Sequence, residues 1–447
     1  MGKYFGTDGI RGVAGEELGA ELCFKAGRAA GSILTKQNGK KPRVVIGKDT
    51  RISGDMIESG LTAGLCAAGA DVAQLGILPT PAVAYLTVET GADMGIVISA
   101  SHNPYEHNGI KIFGGDGFKL SDAKEALIEG LIDGYSNGLK NDQLGRVIHD
   151  DGHFDEYVKG FLAAKSAGRY GGAIAVDCAN GAASKTAQSL FRALGVDFEI
   201  ISASPDGVNI NDNCGSTYPE DLQKMVRGGQ FGVGFAFDGD ADRCLAVDER
   251  GELIDGDMLL ALFAVDMQMR GELKGGGVVG TVVSNSGMDV FLNKLGLEFH
   301  RADVGDRHVL EMMQKTGCNL GGESSGHMIF LDDATTGDGQ LTAVKLLNVL
   351  AQSGKTVSEL VRDIPRFPQV MPSFTLTGGA AQRDAIMAHP RLHEEIARQQ
   401  ELLRGSGRVL IRPSGTEAVI RILVEAETEL IANEKAQIFI DLMKSLQ

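Results

Sequence analysis

Three carboxylates stand at alternate positions directly after an apolar segment of the sequence. The segment is Phe231–Phe237, and Asp238, Asp240 and Asp242 follow it. Carboxylates this close repel one another unless a cation neutralises them, and hard oxygen ligands suit Mg²⁺. A calcium loop and a solvated acidic turn are the alternatives, but Arg243 stands where a calcium loop needs glycine. A guanidinium beside a cation site favours chemistry on phosphoryl groups.

A second loop places hydroxyl, imidazole and amide groups after another apolar strand pattern, Gly95–Ile98. A strand-ending turn is the simplest interpretation, since Ser, Asn and Pro are common turn residues. An acyl-transfer nucleophile, Ser101 activated by His102, is disfavoured because neighbouring side chains of extended backbone point to opposite faces. The G-x-S-x-G elbow is also absent. The remaining functional interpretation is that Ser101 carries a phosphoryl group.

A third loop combines a carboxylate, a hydroxyl and an imidazole among glycines. It runs from Gly321 to His327 and includes Glu323 and Ser325. Such a set can hydrogen-bond the hydroxyls of a sugar, although a glycine-rich turn would explain the same pattern nearly as well. We therefore treat these side chains as candidate substrate ligands.

A fourth loop joins arginine to small hydroxyl residues and glycine, a combination that lets backbone N–H groups converge on an anion. The G-x-x-x-x-G-K-[ST] pattern does not occur, so this is not a P-loop nucleotide site. The loop predicts a binding site for a phosphate group. Its residues are Arg412, Ser414, Gly415 and Thr416, with Arg421 on the following strand.

Short β-branched runs alternate with amphipathic helical stretches, which predicts α/β domains. The last eighty or so residues read instead as a small α+β unit. We expect three α/β mixed-sheet domains and a smaller C-terminal α+β domain around a central cleft. The polar composition of the segment 141–157 predicts a linker. The expected domains are 1–150, 151–250, 251–365 and 366–447.

Composition limits the partners and the compartment. The chain of 447 residues has 59 acidic and 43 basic residues and a formal net charge of −16, which disfavours nucleic acid or an anionic membrane as partner. Its six cysteines form no CxxC pair or disulfide framework. The first residues lack the apolar core of a signal peptide. The sequence predicts a cytoplasmic protein.

Taken together, the four loops resemble those of the α-D-phosphohexomutase superfamily, in the right order and over essentially the whole chain. Further segments resemble the branch that acts on amino-sugar phosphates: Phe5–Gly12, Gly47–Gly54, Val304–Arg307 and Thr335–Gly339. Ala241 stands where glycine is commoner in the superfamily. The resemblance implies interconversion of glucosamine 6-phosphate and glucosamine 1-phosphate, through a phosphoserine enzyme and a 1,6-bisphosphate, in a reaction that supplies cell-wall precursors.

The resemblance also implies residue roles. Ser101 matches the phosphoserine, and its phosphate joins Asp238, Asp240 and Asp242 as a ligand of Mg²⁺. Basic residues that assist transfer are Arg11, Lys111 and Arg243, with Lys111 at the position proposed for acid–base work. Sugar-binding residues are Glu323, Ser325 and His327. Phosphate-binding residues are Arg412, Ser414, Gly415, Thr416 and Arg421.

Several functions remain open on the sequence alone. A mutase for mannose or glucose phosphates shares every catalytic loop. A magnesium-dependent sugar phosphatase would release phosphate, and a sugar-phosphate-binding protein would never carry phosphate on Ser101. The expected partners are an amino-sugar phosphate and its bisphosphate, and a homodimer is compatible with the resemblance.

Overall fold

The structure is a computed structural model that describes residues 2–6, 8–38, 41–134, 144–149, 153–376, 378–413 and 419–446. Four β-sheets follow one another along the chain. Three are mixed sheets flanked by helices, and the fourth is antiparallel, as the sequence predicts. The fold is therefore that of a multidomain α/β protein.

The first sheet has seven strands. Its strands and helices are β1 (Phe5–Gly6), β2 (Gly9–Val13), α1 (Ala20–Asn38), β3 (Arg43–Lys48), α2 (Gly54–Ala67), β4 (Asp71–Ile77), α3 (Thr80–Glu89), β5 (Met94–Ile98), β6 (His107–Gly114), α4 (Asp122–Asp133) and β7 (Val147–His149). The strand order is β1-β2-β6-β5-β3-β4-β7, with β5 parallel to β3 and antiparallel to β6. Every residue of β5 is buried, because both faces of the strand are covered. Ile96 and Ile98 lie in one core with residues of α2, and Val97 lies in another with residues of α3.

Part of the polar segment 141–157 is not a linker. Val147 and Ile148 pair with Val72 and Ala73, so they extend the first sheet as a parallel edge strand. The exposed fractions of the Val147 and Ile148 side chains are 44% and 40%, as expected for an edge. Polar composition suggested a linker here because an edge strand has one open side and needs few apolar residues.

The second sheet has five strands in the order β12-β11-β10-β8-β9. Before it, the chain forms a short helix α5 (His153–Asp155), a π-helical stretch (Glu156–Leu162) and a 3₁₀ turn (Ala163–Lys165). The following elements are β8 (Ala173–Asp177), α6 (Ala183–Ala193), β9 (Phe198–Ile201), a 3₁₀ turn (Gly215–Thr217), α7 (Glu220–Gly228), β10 (Phe231–Phe237), β11 (Cys244–Asp248) and β12 (Leu253–Ile254). Helix α6 packs on this sheet through Ala183, Ala187 and Leu190, which recur at helical spacing and are buried.

The third sheet has four strands in the order β14-β13-β15-β16. Its elements are α8 (Gly256–Arg270), β13 (Gly277–Thr281), α9 (Gly287–Lys294), β14 (Glu298–Ala302), α10 (Asp306–Thr316), β15 (Leu320–Gly322), β16 (Met328–Phe330), α11 (Gly339–Ser353) and α12 (Val357–Val361). The second and third sheets share one hydrophobic core, in which Phe235 lies in the same cluster as Phe263 and Phe330. This shared core holds the loops of the two sheets together.

The C-terminal sheet has a separate core, and all its pairings are antiparallel. Its elements are β17 (Gln369–Val370), β18 (Ser373–Thr375), α13 (Gly379–Met387), α14 (Pro390–Leu402), β19 (Arg408–Pro413), β20 (Val419–Glu425) and α15 (Glu429–Ser445). Strand β20 is central, with β19 on one edge and β17 and β18 on the other. Among the described residues, no helix is both long and apolar enough to span a membrane.

Candidate active site

All four chemistry-bearing loops connect antiparallel strands. The serine loop joins β5 to β6, the acidic loop joins β10 to β11, and the third loop joins β15 to β16. The Arg412 loop joins β19 to β20. In the first three sheets the strand before the loop is parallel to an inner neighbour, so these loops leave carboxyl ends of parallel strands, where α/β proteins place ligands.

Ser101 is buried in the serine loop and faces the acidic loop. Its exposed fraction is 2%, and its Oγ donates a hydrogen bond of 2.6 Å to Oδ2 of Asp238. The backbone of Ser101 is left-handed, with φ of +53°, which few residues other than glycine adopt. The Ser101 N–H donates to Oγ of Ser99 at 2.9 Å. The loop thus presents a serine hydroxyl to a carboxylate.

His102 lies closer to Ser101 than an extended backbone would allow. The Ser101 Oγ and His102 Nδ1 are 3.3 Å apart, because the left-handed turn brings neighbouring side chains to one side. Burial and the guanidinium groups of Arg243 and Arg11 lower the pKa of His102 to about 4. The shorter bond of Ser101 nevertheless goes to Asp238, so the hydroxyl is directed at the acidic loop.

The acidic loop brings its three carboxylates into one buried cluster. Candidate ligand oxygens of Asp238, Asp240 and Asp242 lie within 4.8 Å of one another, and all three residues are buried. The turn is closed by the Ala241 N–H, which donates to the Asp238 carbonyl at 3.0 Å. Ala241 has φ of +55°, the conformation for which glycine is the usual residue. An alanine there still forms the turn.

These residues fit a divalent cation. Oδ1 of Asp240 and Oδ1 of Asp242 are buried without a hydrogen-bond partner. Burial and the carboxylates of Asp242 and Asp240 raise the pKa of Asp238 well above its ordinary value, because three negative charges are confined together. Unpartnered carboxylate oxygens in such a cluster are the donor set that a hard cation takes.

Lys111 supplies positive charge from the same hairpin as Ser101. It lies on β6 opposite Val97, and its Nζ donates to Oδ2 of Asp240 at 2.8 Å. Oδ2 of Asp8 is 3.3 Å from this Nζ, and Arg11 is in turn paired with Asp8. Burial alone would lower the pKa of Lys111, but the surrounding carboxylates outweigh it and raise the pKa well above its ordinary value.

Arg243 ends the acidic loop with its guanidinium near the cluster. Its backbone N–H donates to Oδ1 of Asp238 at 3.2 Å, and its Nε lies 3.9 Å from Oδ1 of Asp242. That Nε is buried without a hydrogen-bond partner. A buried guanidinium N–H with nothing to bond is suited to an anionic ligand.

The third loop contacts the acidic loop directly. The Cys244 N–H, just after the acidic loop, donates to the Gly326 carbonyl at 3.0 Å. Glu323 accepts a hydrogen bond from the Gly305 N–H at 3.0 Å, and Ser325 is partly exposed. The third loop therefore packs against the end of the acidic loop, and its Glu323 carboxylate is held by the Gly305 N–H.

His327 is buried at the end of the third loop, with an exposed fraction of 3%. Its Nε2 accepts from the Gly337 N–H at 3.1 Å, and its Nδ1 lies 3.7 Å from Oδ1 of Asp242. That hydrogen bond assigns the ring proton to Nδ1, on the side of Asp242. Contact between His327 and a substrate stays a prediction, while contact with the acidic loop is observed.

The fourth loop presents two arginines side by side. Arg412 and Arg421 are directly opposite on β19 and β20. Burial and the facing guanidinium of Arg421 lower the pKa of Arg412, since each charge disfavours the other. A pair of like charges in register is stabilised by an anion between them. The remaining predicted residues of this loop, Ser414, Gly415 and Thr416, lie outside the described residues.

Sequence reasoning missed several residues that hold the site together. Thr80, at the start of α3, donates from Oγ1 to Oδ2 of Asp240 at 2.6 Å. Lys119 bridges Asp8 and Asp306, so it connects the first and third domains beside the site. Asp8 lies in the segment Phe5–Gly12, so its carboxylate could have been predicted as part of the site. Nothing in the sequence distinguishes Thr80 from other threonines.

Comparison with known proteins defines the class. Four family descriptions of the phosphoglucomutase/phosphomannomutase type match in order: alpha/beta/alpha domain I at 2–138, domain II at 153–251, domain III at 255–367 and the C-terminal domain at 377–441. The chain belongs to the phosphoglucomutase/phosphomannomutase family, as the resemblance of its loops indicated.

Two individual relatives are similar to this chain over nearly their whole length. The chain is 48% identical over 99% of its length to phosphoglucosamine mutase of Shouchella clausii, with 99% of that protein covered. It is 45% identical to phosphoglucosamine mutase of Bacillus subtilis, with 100% of this chain and 99% of that one covered.

Solved structures agree on the fold. A phosphoglucomutase/phosphomannomutase family protein from Burkholderia thailandensis is 28% identical, with a TM-score of 0.83 and coverage of 99% of this chain and 97% of that one. N-acetylphosphoglucosamine mutase of Aspergillus fumigatus, solved with GlcNAc-6P and magnesium, is 18% identical with a TM-score of 0.69. It covers 99% of this chain and 96% of its own, and at that identity it supports the fold alone.

Proposed function

We propose that this protein is a mutase that interconverts glucosamine 6-phosphate and glucosamine 1-phosphate, with Ser101 as the phosphoryl carrier. The observation that carries the proposal is the 2.6 Å hydrogen bond from Ser101 Oγ to Asp238, which puts a buried serine hydroxyl against a carboxylate cluster. A phosphoryl group on Oγ would enter that cluster. The near-full-length likeness to two phosphoglucosamine mutases supports the choice of sugar.

In the proposed first transfer, a free hydroxyl of the monophosphosugar attacks the phosphorus of phosphoserine. A bond forms between that hydroxyl oxygen and phosphorus, and the bond from phosphorus to Ser101 Oγ breaks. The hydroxyl loses its proton, and Oγ regains one. The products are the 1,6-bisphosphate and free Ser101.

The second transfer reverses these steps with the other phosphate. The bisphosphate turns over, its second phosphate passes to Ser101, and the isomeric monophosphate leaves with one proton gained on its freed hydroxyl. A distant phosphate site must therefore accept either end of the sugar. We assign that site to Arg412 and Arg421, together with Ser414, Gly415 and Thr416, because guanidinium and backbone N–H groups bind an anion without reading the sugar.

Three side chains are proposed to act on the transferring phosphoryl group. The guanidinium of Arg243 has an unpartnered buried Nε to offer it. Arg11 and Lys111 add positive charge, and Lys111 is proposed for the acid–base work. Glu323 and Ser325, with His327, are proposed to contact the sugar. Catalysis of this kind depends mostly on positioning and on stabilising charge.

Asp238, Asp240 and Asp242 are proposed to hold Mg²⁺, with the phosphate of Ser101 completing its ligands. The unpartnered oxygens of Asp240 and Asp242 support this assignment. The cation would neutralise charge on the phosphoryl oxygens during transfer.

The experiment that tests the proposal is a coupled assay with glucosamine, glucose and mannose phosphates in parallel, each with its bisphosphate. We expect the largest kcat/KM for the glucosamine phosphates and negligible release of inorganic phosphate. A preference for glucose or mannose phosphates would support the other mutases of the family. Stoichiometric phosphate release would indicate a phosphatase, and binding without turnover a binding protein.

Further proposals concern the cell and the assembly. We propose a cytoplasmic enzyme, since all six cysteines are free, as is usual in a reducing compartment. We also propose a homodimer, which light scattering would test. We also retain the domain limits 1–150, 151–250, 251–365 and 366–447 as proposals that limited proteolysis can examine.

A further inference from the structure

The carbonyl groups of the serine loop are held by two side chains that neither the loop motifs nor the proposed function uses. One is Arg51, which follows β3 in the same domain. The other is Asn211, which belongs to the second domain and follows β9. Both donate hydrogen bonds to the carbonyl oxygens of Ser101 and Asn103.

Arg51 is buried, and its guanidinium is spread over the loop. Its Nη2 donates to the Ser101 carbonyl at 3.0 Å and to the Asn103 carbonyl at 2.8 Å. Its Nη1 donates to the Pro104 carbonyl. Its Nε donates to Oδ2 of Asp49 at 2.9 Å, and that carboxylate also accepts from Oγ of Ser99 at 2.6 Å. The guanidinium therefore fixes both ends of the loop.

Asn211 holds the same two carbonyls from the second domain. Its Nδ2 donates to the Ser101 carbonyl at 3.0 Å and to the Asn103 carbonyl at 3.1 Å. Its Oδ1 is buried without a hydrogen-bond partner. Leaving a buried acceptor unsatisfied costs free energy, which offsets part of the stabilisation that the two donated bonds provide.

The metal loop packs against the same carbonyl. A Cβ placed on Gly239 would lie 2.5 Å from the Ser101 carbonyl oxygen and 2.8 Å from Nδ2 of Asn211. Asn211, the carbonyl of Ser101 and the acidic loop are thus in direct contact. Holding the carbonyls of Ser101 and Asn103 together restricts the backbone torsions between them, and the backbone of this loop sets the direction of the Ser101 side chain.

We propose that Arg51 and Asn211 are positioning residues that hold Ser101 in its left-handed conformation, with Oγ directed at the acidic loop. The proposal rests on Ser101 being the phosphoryl carrier. Neither side chain touches the sugar or the transferring phosphoryl group in this account. Their removal should slow transfer to and from Ser101 and leave sugar-phosphate affinity in place.

The test compares Asn211→Gly with Asn213→Gly. Both asparagines have left-handed backbones, with φ of +58° and +52°, which glycine adopts without strain. Asn213 is exposed, and its side chain donates to neighbouring Asp212 and not to the serine loop. The two variants therefore match in chemistry and in backbone, and only Asn211→Gly removes the loop contacts.

For each variant we would measure kcat, KM, the melting temperature and the single-turnover rate of Ser101 phosphorylation by glucosamine 1,6-bisphosphate. Asn211→Gly should lower kcat and the phosphorylation rate at least about tenfold, with KM changed less than about threefold, while Asn213→Gly matches wild type. Arg51→Lys keeps the positive charge beside Asp49 but lacks the planar guanidinium that donates to several carbonyls at once. It should therefore also lower kcat with little change in KM.

Two results would overturn the inference. One is a phosphorylation rate for Asn211→Gly within about twofold of wild type. The other is a lower kcat accompanied by a comparably raised KM and a lower melting temperature. If Asn211→Gly does not fold, the nearly isosteric Asn211→Asp decides by the same criteria. Wild-type protein that never carries phosphate on Ser101 would instead reject the proposed function, which separates the two failures.

Discussion

Two regions of this protein differ in how their charges are arranged. We call the surroundings of Ser101, Lys111 and the carboxylate cluster the reacting region, and Arg412 with Arg421 the anchoring region. In the reacting region, buried carboxylates and cations from three domains face one another, and Lys111 bonds Asp240 with both side chains about 1% exposed. In the anchoring region, Arg412 and Arg421 stand in register with like charge. Among the described residues, the hydrogen bonds and ion pairs that join the first three loops do not include Arg412.

The difference matches what each region is proposed to bind. The reacting region must hold one phosphoryl group in one geometry, so its groups are fixed by one another. The anchoring region must accept phosphate from either end of a sugar, and paired guanidinium groups allow that. The comparison suggests that substitutions in the first region affect rate and those in the second affect retention of the intermediate.

The largest effect is expected for Ser101→Ala, which removes the phosphoryl carrier. We expect turnover to fall below about one-thousandth of wild type, a barrier increase of about 4 kcal/mol or more. Binding of sugar phosphate, measured by calorimetry, should persist because the anchoring region is intact. Activity within about tenfold of wild type in the presence of bisphosphate would reject Ser101 as the carrier.

Asp240→Asn removes one negative charge from the reacting region at nearly constant volume. Its Oδ2 accepts from Thr80 and Lys111, and an amide oxygen in the same place can accept from both while lacking the charge that pairs with Lys111. We expect a rate at least about a hundredfold lower and weaker Mg²⁺ activation, since metal stabilisation is worth several kcal/mol. Titration of the rate with Mg²⁺ checks this, and an unchanged titration would show that the cluster is only an acidic turn.

Calcium gives a second test of the same cluster. Ca²⁺ should compete with Mg²⁺ for wild-type protein without supporting a comparable rate, because its longer and looser coordination misplaces the phosphate. Equal rates with the two ions would contradict a rigid magnesium site.

Arg412→Ala tests the anchoring region. Each lost charge-assisted hydrogen bond is worth roughly 1.5–3 kcal/mol, so both monophosphates and the bisphosphate should bind about tenfold or more weakly. The intermediate should then escape, and free glucosamine 1,6-bisphosphate per turnover should rise, with partial rescue by added bisphosphate. Arg404→Ala, at an exposed arginine of the same domain, is the matched control and should behave as wild type. Weaker binding of only one monophosphate would contradict an anchor that serves both orientations.

A last prediction concerns stability and not activity, near the contact between the third and fourth domains. Asp257 accepts from the Asn285 N–H at 2.8 Å, and the amide Nδ2 of Asn285 donates to the Phe367 carbonyl, in the segment that leads into β17. Burial and the nearby carboxylate of Asp255 raise the pKa of Asp257 to about 7, against the favourable charge of Arg301.

Because the pKa of the Asp257 carboxyl is raised in the folded protein, stability depends on pH. Between pH about 4 and about 7 the unfolded chain releases this proton while the folded protein keeps it, so stability falls as pH rises through that range. Asp257→Asn cannot release a proton and should gain stability relative to wild type toward pH 8, by about 4 kcal/mol at most. Urea unfolding of both proteins from pH 5 to 8.5 checks this, and a difference independent of pH would contradict it.

The sequence predicted the groups at each site better than their mutual arrangement. Asp238, Asp240 and Asp242 could be found because their spacing within one loop is itself the signal. Thr80 could not, since the hydrogen bond that joins it to Asp240 connects residues 160 positions apart. Which strands become neighbours is decided by tertiary packing, which local patterns do not encode.

The sequence also did not predict the backbone conformation of the serine loop. The expectation that Ser101 and His102 point apart assumed extended backbone, and the left-handed turn at Ser101 removes that assumption. The carbonyl of Ser101 in this turn accepts hydrogen bonds from Arg51 and Asn211, and neither residue lies in the serine loop. The alternation of strands and helices, by contrast, was sufficient to predict the α/β class.

The most direct test is the intact mass of purified protein before and after incubation with glucosamine 1,6-bisphosphate and Mg²⁺. We expect a species about 80 Da heavier, carried on Ser101, that persists while added glucosamine 6-phosphate is turned over, because the bisphosphate returns a phosphoryl group to Ser101. Ser101→Ala should show no such species. Wild-type protein that turns over substrate without ever gaining this mass, or that carries it on another residue, would contradict the account.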